Sequence, residues 1–285
     1  MRDSNIDNYG IKVGGRKISN LRYADDTALL AKDHQEASDI INNLNNTGEE
    51  KNLKLNAKKT KVMHIGAGPT TPIAIGQEEL EEVTNFKYLG SIKSKDADCT
   101  KDINARIAMA KKRMISLSNI WKDKNIKTTL KMKIMKCLVW TTMTYGAEGW
   151  TLRKTNVKKI QSAEMWFYRR LLRTSWKERR TDLSILQELN TERELVKLIL
   201  RKKMTFFGHI CRSKKCSLMK EAIQGKVEGK RKRGRPRISY LGNIKEWTGR
   251  NSPEIFNMID RRQDWRSEVQ RAVRAANILR SDAGQ

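Results

Sequence analysis

Two aspartates stand side by side in Leu21-Arg22-Tyr23-Ala24-Asp25-Asp26-Thr27-Ala28-Leu29-Leu30-Ala31. One apolar, β-tolerant run leads into them and another leads out, a pattern that predicts a tight β-hairpin with Asp25 and Asp26 at its tip. Adjacent carboxylates repel. Burying both unpaired would cost several kcal/mol or force one to take up a proton. A divalent cation removes that conflict. Mg²⁺ takes one or two carboxylates together with substrate phosphates, and in two-metal sites such ions stabilise both the attacking and the leaving oxygen of a phosphoryl transfer. The plainer alternative for the dipeptide is a solvated acidic turn.

The elements around this stretch follow from periodicity. Residues 9–31 read as strands, with an earlier turn at Gly14-Gly15. A helix is predicted from His34 to about Glu50, with Ala37, Ile40, Ile41, Leu44 and Thr47 on one face, Asp33 as its N-cap and Gly48 helping to end it. Leu53-Lys54-Leu55 and Val62-Met63-His64-Ile65 alternate like strands around Asn56-Ala57-Lys58-Lys59-Thr60. A loop at Gly66–Pro72 leads on to Phe86-Lys87-Tyr88-Leu89-Gly90, a strand ending in a glycine turn.

Three of these stretches together resemble one family. Tyr-Ala-Asp-Asp between two apolar strands is similar to the palm motif of reverse transcriptases. The longer run Gly15–Thr27 resembles the version found in non-long-terminal-repeat (LINE-type) retrotransposons. Leu55-Asn56-x-x-Lys59-Thr60 resembles the motif that comes next, and Phe86–Gly90 the hairpin called the primer grip. All three occur in family order within about 80 residues. The resemblance implies Asp25 as a metal ligand with Asp26 as its neighbour, and Mg²⁺ in the intact parent enzyme. It implies Lys59 beside the incoming nucleotide's phosphates, as a proton donor to leaving pyrophosphate, although a solvated turn lysine is an equal reading. Phe86, Tyr88, Leu89 and Gly90 would hold the primer terminus.

Charge divides the chain. Residues 1–100 carry 14 basic and 15 acidic side chains, a net −1, whereas residues 101–285 carry 45 and 17, a net +28. Such an excess faces a polyanion, because neutralising phosphates releases their counterions. Nucleic acid is the natural partner and an anionic membrane surface the rival. The four cysteines, Cys99, Cys137, Cys211 and Cys216, are too few and too scattered for a disulfide framework. No apolar run approaches the ~20 residues of a membrane span, and no signal-peptide core opens the chain.

The basic part is patterned as helices. Ile103, Ile107, Ala110, Met114, Leu117 and Trp121 form an apolar seam on a helix whose other residues include Arg106, Lys111, Lys112 and Arg113. Further helices are predicted over about Lys127–Tyr145 (Leu130, Ile134, Cys137, Leu138 and Thr141 inward), Asn156–Arg173 and Thr191–Phe207. Trp166 or Tyr168 is a candidate surface aromatic. Basic helices after a palm resemble the thumb that clamps template–primer duplex in this family; a bundle with solvated lysines is the alternative. His209, Cys211 and Cys216 offer three zinc ligands without a fourth. Lys230, Arg231, Lys232, Arg233, Arg235 and Arg237 place six cations in nine residues. That arm resembles an AT-hook core, suited to the narrow minor groove of A·T tracts, and reads equally as a nuclear localisation signal. Short helices follow at Ile255–Ile259 and Trp265–Leu279.

The expected fold is α+β, a truncated reverse-transcriptase palm of antiparallel hairpins plus one helix, followed by a mostly α-helical thumb and a basic C-terminal region. The expected divisions are 1–95, 96–207 and 208–285. Only 22 residues precede Tyr23, so the fingers and the further aspartate strand that the family places upstream are not among these residues. Expected partners are an RNA template, a DNA primer or target DNA, with deoxynucleoside triphosphates only where the palm is complete. One reading is a polymerase fragment, inactive alone; the other is a non-catalytic nuclear nucleic-acid-binding protein derived from it. Either places the chain in the nucleus or in a cytoplasmic ribonucleoprotein, not outside the cell.

Overall fold

A computed structural model describes residues 8–65, 71–229 and 238–276. The chain is α+β, with short hairpins first and helices after. β1 (Ile11–Val13) and β2 (Arg16–Ile18) form one antiparallel hairpin, and β3 (Asn20–Tyr23) and β4 (Asp26–Leu29) the next. α1 (His34–Glu49) follows, capped as its sequence predicts: Asp33 Oδ1 accepts from Glu36 N–H at 2.9 Å. The Glu36 carboxylate then accepts from Gly10 N–H at 2.9 Å and Lys32 N–H at 2.7 Å, so one buried side chain ties the start of the hairpins to the helix. Gly48 lies near the helix end because a Cβ there would stand 2.7 Å from Leu53 O.

Of the two strands expected on either side of Asn56–Thr60, only β5 (Lys61–Val62) forms. Leu53-Lys54-Leu55 is irregular; Leu53 is exposed and contributes nothing to a core that would hold a strand. β6 (Ala74–Ile75) pairs with β7 (Glu78–Glu79), β5 pairs in parallel with β8 (Glu81–Glu82), and β9 (Asn85–Tyr88) pairs with β10 (Ser91–Ser94). Among the described residues these ladders stay two-stranded and do not merge into one sheet. A small core of Ile41, Ile73 and Leu80 lies between α1 and the strands β4, β5 and β6, with Leu29, Ala37, Ala57, Val62 and Ile75 against it.

The helices are α2 (Thr100–Ser116), α3 (Ser118–Lys122), α4 (Thr128–Met135), α5 (Thr141–Met143), α6 (Lys154–Leu172), α7 (Asp182–Glu188) and α8 (Leu195–Arg212). α4 runs through a π-helical turn, Lys136–Trp140, into α5. Here the inward face differs from the expected one. Met132, Met135, Val139, Trp140 and Met143 are buried, while Leu130, Cys137 and Leu138 are exposed. Two apolar stripes run along this helix, and the methionine-rich stripe is the one that meets Trp121 and α6 in the core.

α9 (Ser217–Ile223) and the residues after it return to the first hairpin. Gly14 N–H donates to Lys226 O at 2.8 Å and Glu228 N–H to Lys12 O at 3.0 Å, while the Arg16 guanidinium reaches Glu221 and Ser217. α10 (Tyr240–Thr248), α11 (Ser252–Asp260) and α12 (Arg262–Ala275) complete the chain. α12 buries Trp265, Val269, Ala272 and Val273. Packing therefore groups the residues into two units, Met1–Asp98 with Cys216–Arg235, and Cys99–Lys215 with Pro236–Gln285. This differs from divisions at 95/96 and 207/208. α8 crosses residue 207 unbroken, and the segment after it pairs by backbone with β1.

Candidate functional site

The β3–β4 hairpin pairs Tyr23 with Asp26, so its two-residue turn is Ala24-Asp25. Asp25 sits in the turn, and Asp26 is the first residue of β4 rather than part of the tip. Ala24 adopts φ +49, a left-handed conformation that costs a non-glycine residue roughly 1–2 kcal/mol. Both carboxylates are exposed, and neither has a hydrogen-bond or ion-pair partner among the described residues. Exposure spares them the cost of burial, so the acidic pair stands without a protein counter-charge.

The β9–β10 hairpin turns through Leu89-Gly90, both left-handed at φ +48 and +76, between Tyr88 and Ser91. Phe86 and Leu89 are exposed apolar side chains. The Tyr88 hydroxyl donates to Leu21 O at 3.3 Å, so the second hairpin is bonded to the strand that carries the aspartates. Lys59 is placed differently. Asn56 Oδ1 accepts from Lys59 N–H at 3.1 Å and Asn56 O accepts from the Thr60 hydroxyl at 2.9 Å, closing a turn that leaves the lysine side chain exposed and without a partner among the described residues. The aspartate hairpin and this turn share the small core through Leu29 and Ala57. The structure thus joins Asp25, Asp26, Phe86, Tyr88, Leu89 and Gly90 on bonded hairpins, and no hydrogen bond or ion pair links the Lys59 side chain to them among the described residues.

The basic positions separate. Arg106 is 6% exposed, with its guanidinium 4.3 Å from the Tyr145 ring centre. It lies on the same face of α2 as Ile103, Ala110 and Met114, so spacing puts it inward and it is not an outward phosphate contact. Lys111 is half-buried, with its ammonium 5.3 Å from the Trp166 ring centre, whereas Lys112 and Arg113 are exposed. Tyr168 is buried, its hydroxyl donating to Glu164 Oε1 at 3.1 Å, which leaves Trp166 as the partly exposed aromatic. Lys230, Arg231, Lys232, Arg233, Arg235 and Arg237 lie outside the described residues, as do Gly66 to Pro69. His209 is exposed and Cys211 buried, two residues apart and so on opposite sides of α8. One metal cannot take both. The side chain of Cys216 also lies outside what is described.

Sequence reading missed Lys203. It is fully buried, donating to Trp150 O at 2.6 Å and Asn243 Oδ1 at 3.0 Å, beneath the Tyr240 and Trp247 rings. Burial pushes its ammonium down to about 7. Its spacing of four from both Ile199 and Phe207 was the available signal. A buried carboxylate, Glu164, caps α8. Its Oε1 accepts from Glu194 N–H at 2.7 Å and Leu195 N–H at 2.9 Å, and burial raises its pKa.

Residues 5–92 match the reverse transcriptase (RNA-dependent DNA polymerase) family. The matched segment is similar to reverse transcriptases. It contains every residue of both bonded hairpins up to Ile92. The chain is also 25% identical, over 211 residues, to an uncharacterized transposon-derived protein of Caenorhabditis elegans, covering 72% of this chain and 75% of that protein. No solved structure matches. The reverse-transcriptase segment implies nucleic acid as partner and, for the family, a divalent metal. Whether the residues present fit such an ion is a matter of donors: Asp25 and Asp26 supply two carboxylates from one turn, and no group of three His, Cys, Asp or Glu side chains forms among the described residues. No helix among the described residues is long and apolar enough to cross a membrane.

Proposed function

We propose that the chain is the C-terminal part of a LINE-type retrotransposon reverse transcriptase, made of the end of the palm, a helical thumb and a basic arm, and that it grips template–primer duplex. The observation that carries this reading is the bond between the aspartate hairpin and the Phe86–Gly90 hairpin, with four exposed side chains (Tyr23, Leu21, Phe86 and Leu89) around it. In this reading the Phe86–Gly90 hairpin meets the primer end, Lys112 and Arg113 meet backbone phosphates, and Lys230–Arg237 adds a minor-groove or nuclear-import segment. Asp25 and Asp26 are the positions for Mg²⁺ in a complete palm. Because two carboxylates do not close a metal site, these 285 residues bind nucleic acid without polymerising.

The test is binding of the purified chain to an RNA/DNA primer–template across a salt series, with nucleotide incorporation measured in parallel in Mg²⁺. Expected is affinity that falls linearly in log–log with salt, and no incorporation. Template-dependent incorporation abolished by Asp25→Asn would show that these residues assemble a full two-metal site and would overturn the inactive-fragment reading. A non-catalytic nuclear nucleic-acid-binding protein derived from the polymerase is the second reading. The +28 of residues 101–285 favours it, and it predicts equal affinity for primer–template and plain duplex.

A further inference from the structure

We propose that a cleft at the carboxyl end of α6 binds the terminal phosphate monoester of a nucleic-acid strand. The inference rests on the reading of the chain as a nucleic-acid binder and adds the site and the group it takes. The cleft encloses about 280 Å³ between α3 and the end of α6, and is lined by Ser118, Lys122, Arg170, Arg173, Thr174 and Ser175. Lys122, Arg170 and Arg173 are exposed cations with no side-chain partner among the described residues. Arg169, also in the wall, is different. Its guanidinium donates to Asp182 Oδ1 at 2.6 Å and to Arg180 O at 3.2 Å, so it is already neutralised and serves as scaffold. The floor is rigid, because Trp121 is buried with its indole N–H donating to Met114 O at 2.7 Å.

A helix C-terminus ordinarily repels anions through its free carbonyls. Here two of those carbonyls are occupied: Arg173 N–H donates to Arg170 O at 3.2 Å and Thr174 N–H to Arg169 O at 3.0 Å. Arg173 makes this cap at φ +61, a position where glycine is the usual residue. A long cationic side chain therefore sits where a residue without one is usual. The Glu178 carboxylate borders the turn, where its Oε1 accepts from Ser175 N–H at 2.7 Å. The hydroxyls of Ser118, Thr174 and Ser175 add donors. Ser175 Oγ accepts from Lys177 N–H at 3.3 Å, which leaves its own proton free to give.

The concentration of charge decides the ligand. Phosphodiesters carry one negative charge each and are met by cations spread along a face. A cleft focuses its field on one point, and three unpaired cations there suit a group of higher charge. A terminal phosphate monoester carries roughly −1.5 to −2 at neutral pH and three acceptor oxygens, which bidentate arginines match.

The experiment compares oligonucleotides of one sequence bearing a 5′-phosphate, a 3′-phosphate or hydroxyl ends only, titrated against the chain and its Arg170→Gln/Arg173→Gln variant at two salt concentrations. Both substituted side chains are solvent-exposed, and the thermal midpoint of the variant checks that it folds. Expected is about tenfold tighter binding of one phosphate-ended strand over the hydroxyl-ended one, the worth of one charge-assisted contact. The variant should lose that preference while binding the hydroxyl-ended strand as before, and inorganic phosphate should compete the preference away. Equal affinity for all three strands, or a variant weakened on all three alike, overturns the proposal and leaves the cleft a plain backbone contact. Failure of every strand to bind at low salt overturns the nucleic-acid reading itself, and this inference with it.

Discussion

A missing Cβ organises much of the helical unit. A Cβ on Gly208 would stand 2.3 Å from the Trp265 indole nitrogen and 2.5 Å from its Cδ1, and that indole donates to Met204 O at 3.1 Å, one turn earlier on α8. Phe207 beside it packs at steep ring angles against Tyr240, Phe256 and Trp265. Phe-Gly-His-Ile is thus a packing motif with an exposed histidine, which is why a zinc reading found no geometry. In an exposed helix, Gly→Ala stabilises by roughly 1 kcal/mol. At Gly208 the sign should reverse, with Gly208→Ala destabilising by about 1–3 kcal/mol through overpacking. A thermal midpoint equal to or above wild type would contradict the packing described. Lys203 supports a second prediction at this scale. Its ammonium is pushed down to about 7 from an ordinary value of 10.5, so between those pH values the unfolded chain holds a proton that the folded chain has released. Stability from this group is full above 10.5 and is lost as pH falls towards 7. The thermal midpoint of Lys203→Met should therefore rise less between about pH 7 and 9 than that of wild type; parallel pH profiles would refute the burial of a neutral lysine.

At the scale of elements, periodicity worked where one stripe was apolar and failed where two were. α1, α2, α6 and α12 lie within a few residues of their expected spans, and Ile40, Ile41, Leu44, Ile103, Ala110 and Met114 are buried as their spacing predicts. α4 showed two apolar stripes, and only tertiary packing on Trp121 and α6 chose between them. α7 and α10 were missed because each is short and lies between loops. Arg106 and Lys203 were legible as charges on an apolar face, yet net charge drew attention to their sign rather than to their position. Both hairpins were legible, the first with its turn one residue earlier than expected, at Ala24-Asp25. The Leu89-Gly90 turn supports a prediction. A two-residue turn with both residues left-handed favours Asn-Gly, and Leu89 holds φ +48 with its side chain exposed. Leu89→Asn should stabilise the front unit by about 0.5–1 kcal/mol, while a primer–template complex that uses the leucine should weaken. Loss of stability in the variant would mean that Leu89 packs within its own unit.

At the scale of the molecule, charge is a cost until a partner arrives. The +28 of residues 101–285 is the excess left after every acidic side chain there is counted, including those in ion pairs such as Arg169–Asp182, Arg180–Glu188 and Lys136–Glu194. Self-repulsion of this size destabilises the compact state, and salt screens it over a Debye length of about 10 Å at 0.1 M. Exposed ion pairs would weaken with salt, but each is worth roughly 0–1 kcal/mol, so repulsion should win and the thermal midpoint of the free chain should rise as salt is added. A bound duplex acts in the opposite direction. Its stabilisation is RT ln(1 + [L]/Kd), and Kd weakens steeply with salt as the gain from counterion release falls. Melting curves of free and duplex-bound chain should therefore converge as salt increases, one midpoint climbing while the added increment shrinks. A free-chain midpoint that falls with salt would mean that the ion pairs outweigh the excess charge. An increment indifferent to salt would mean that the duplex is held by apolar contacts and not by phosphate.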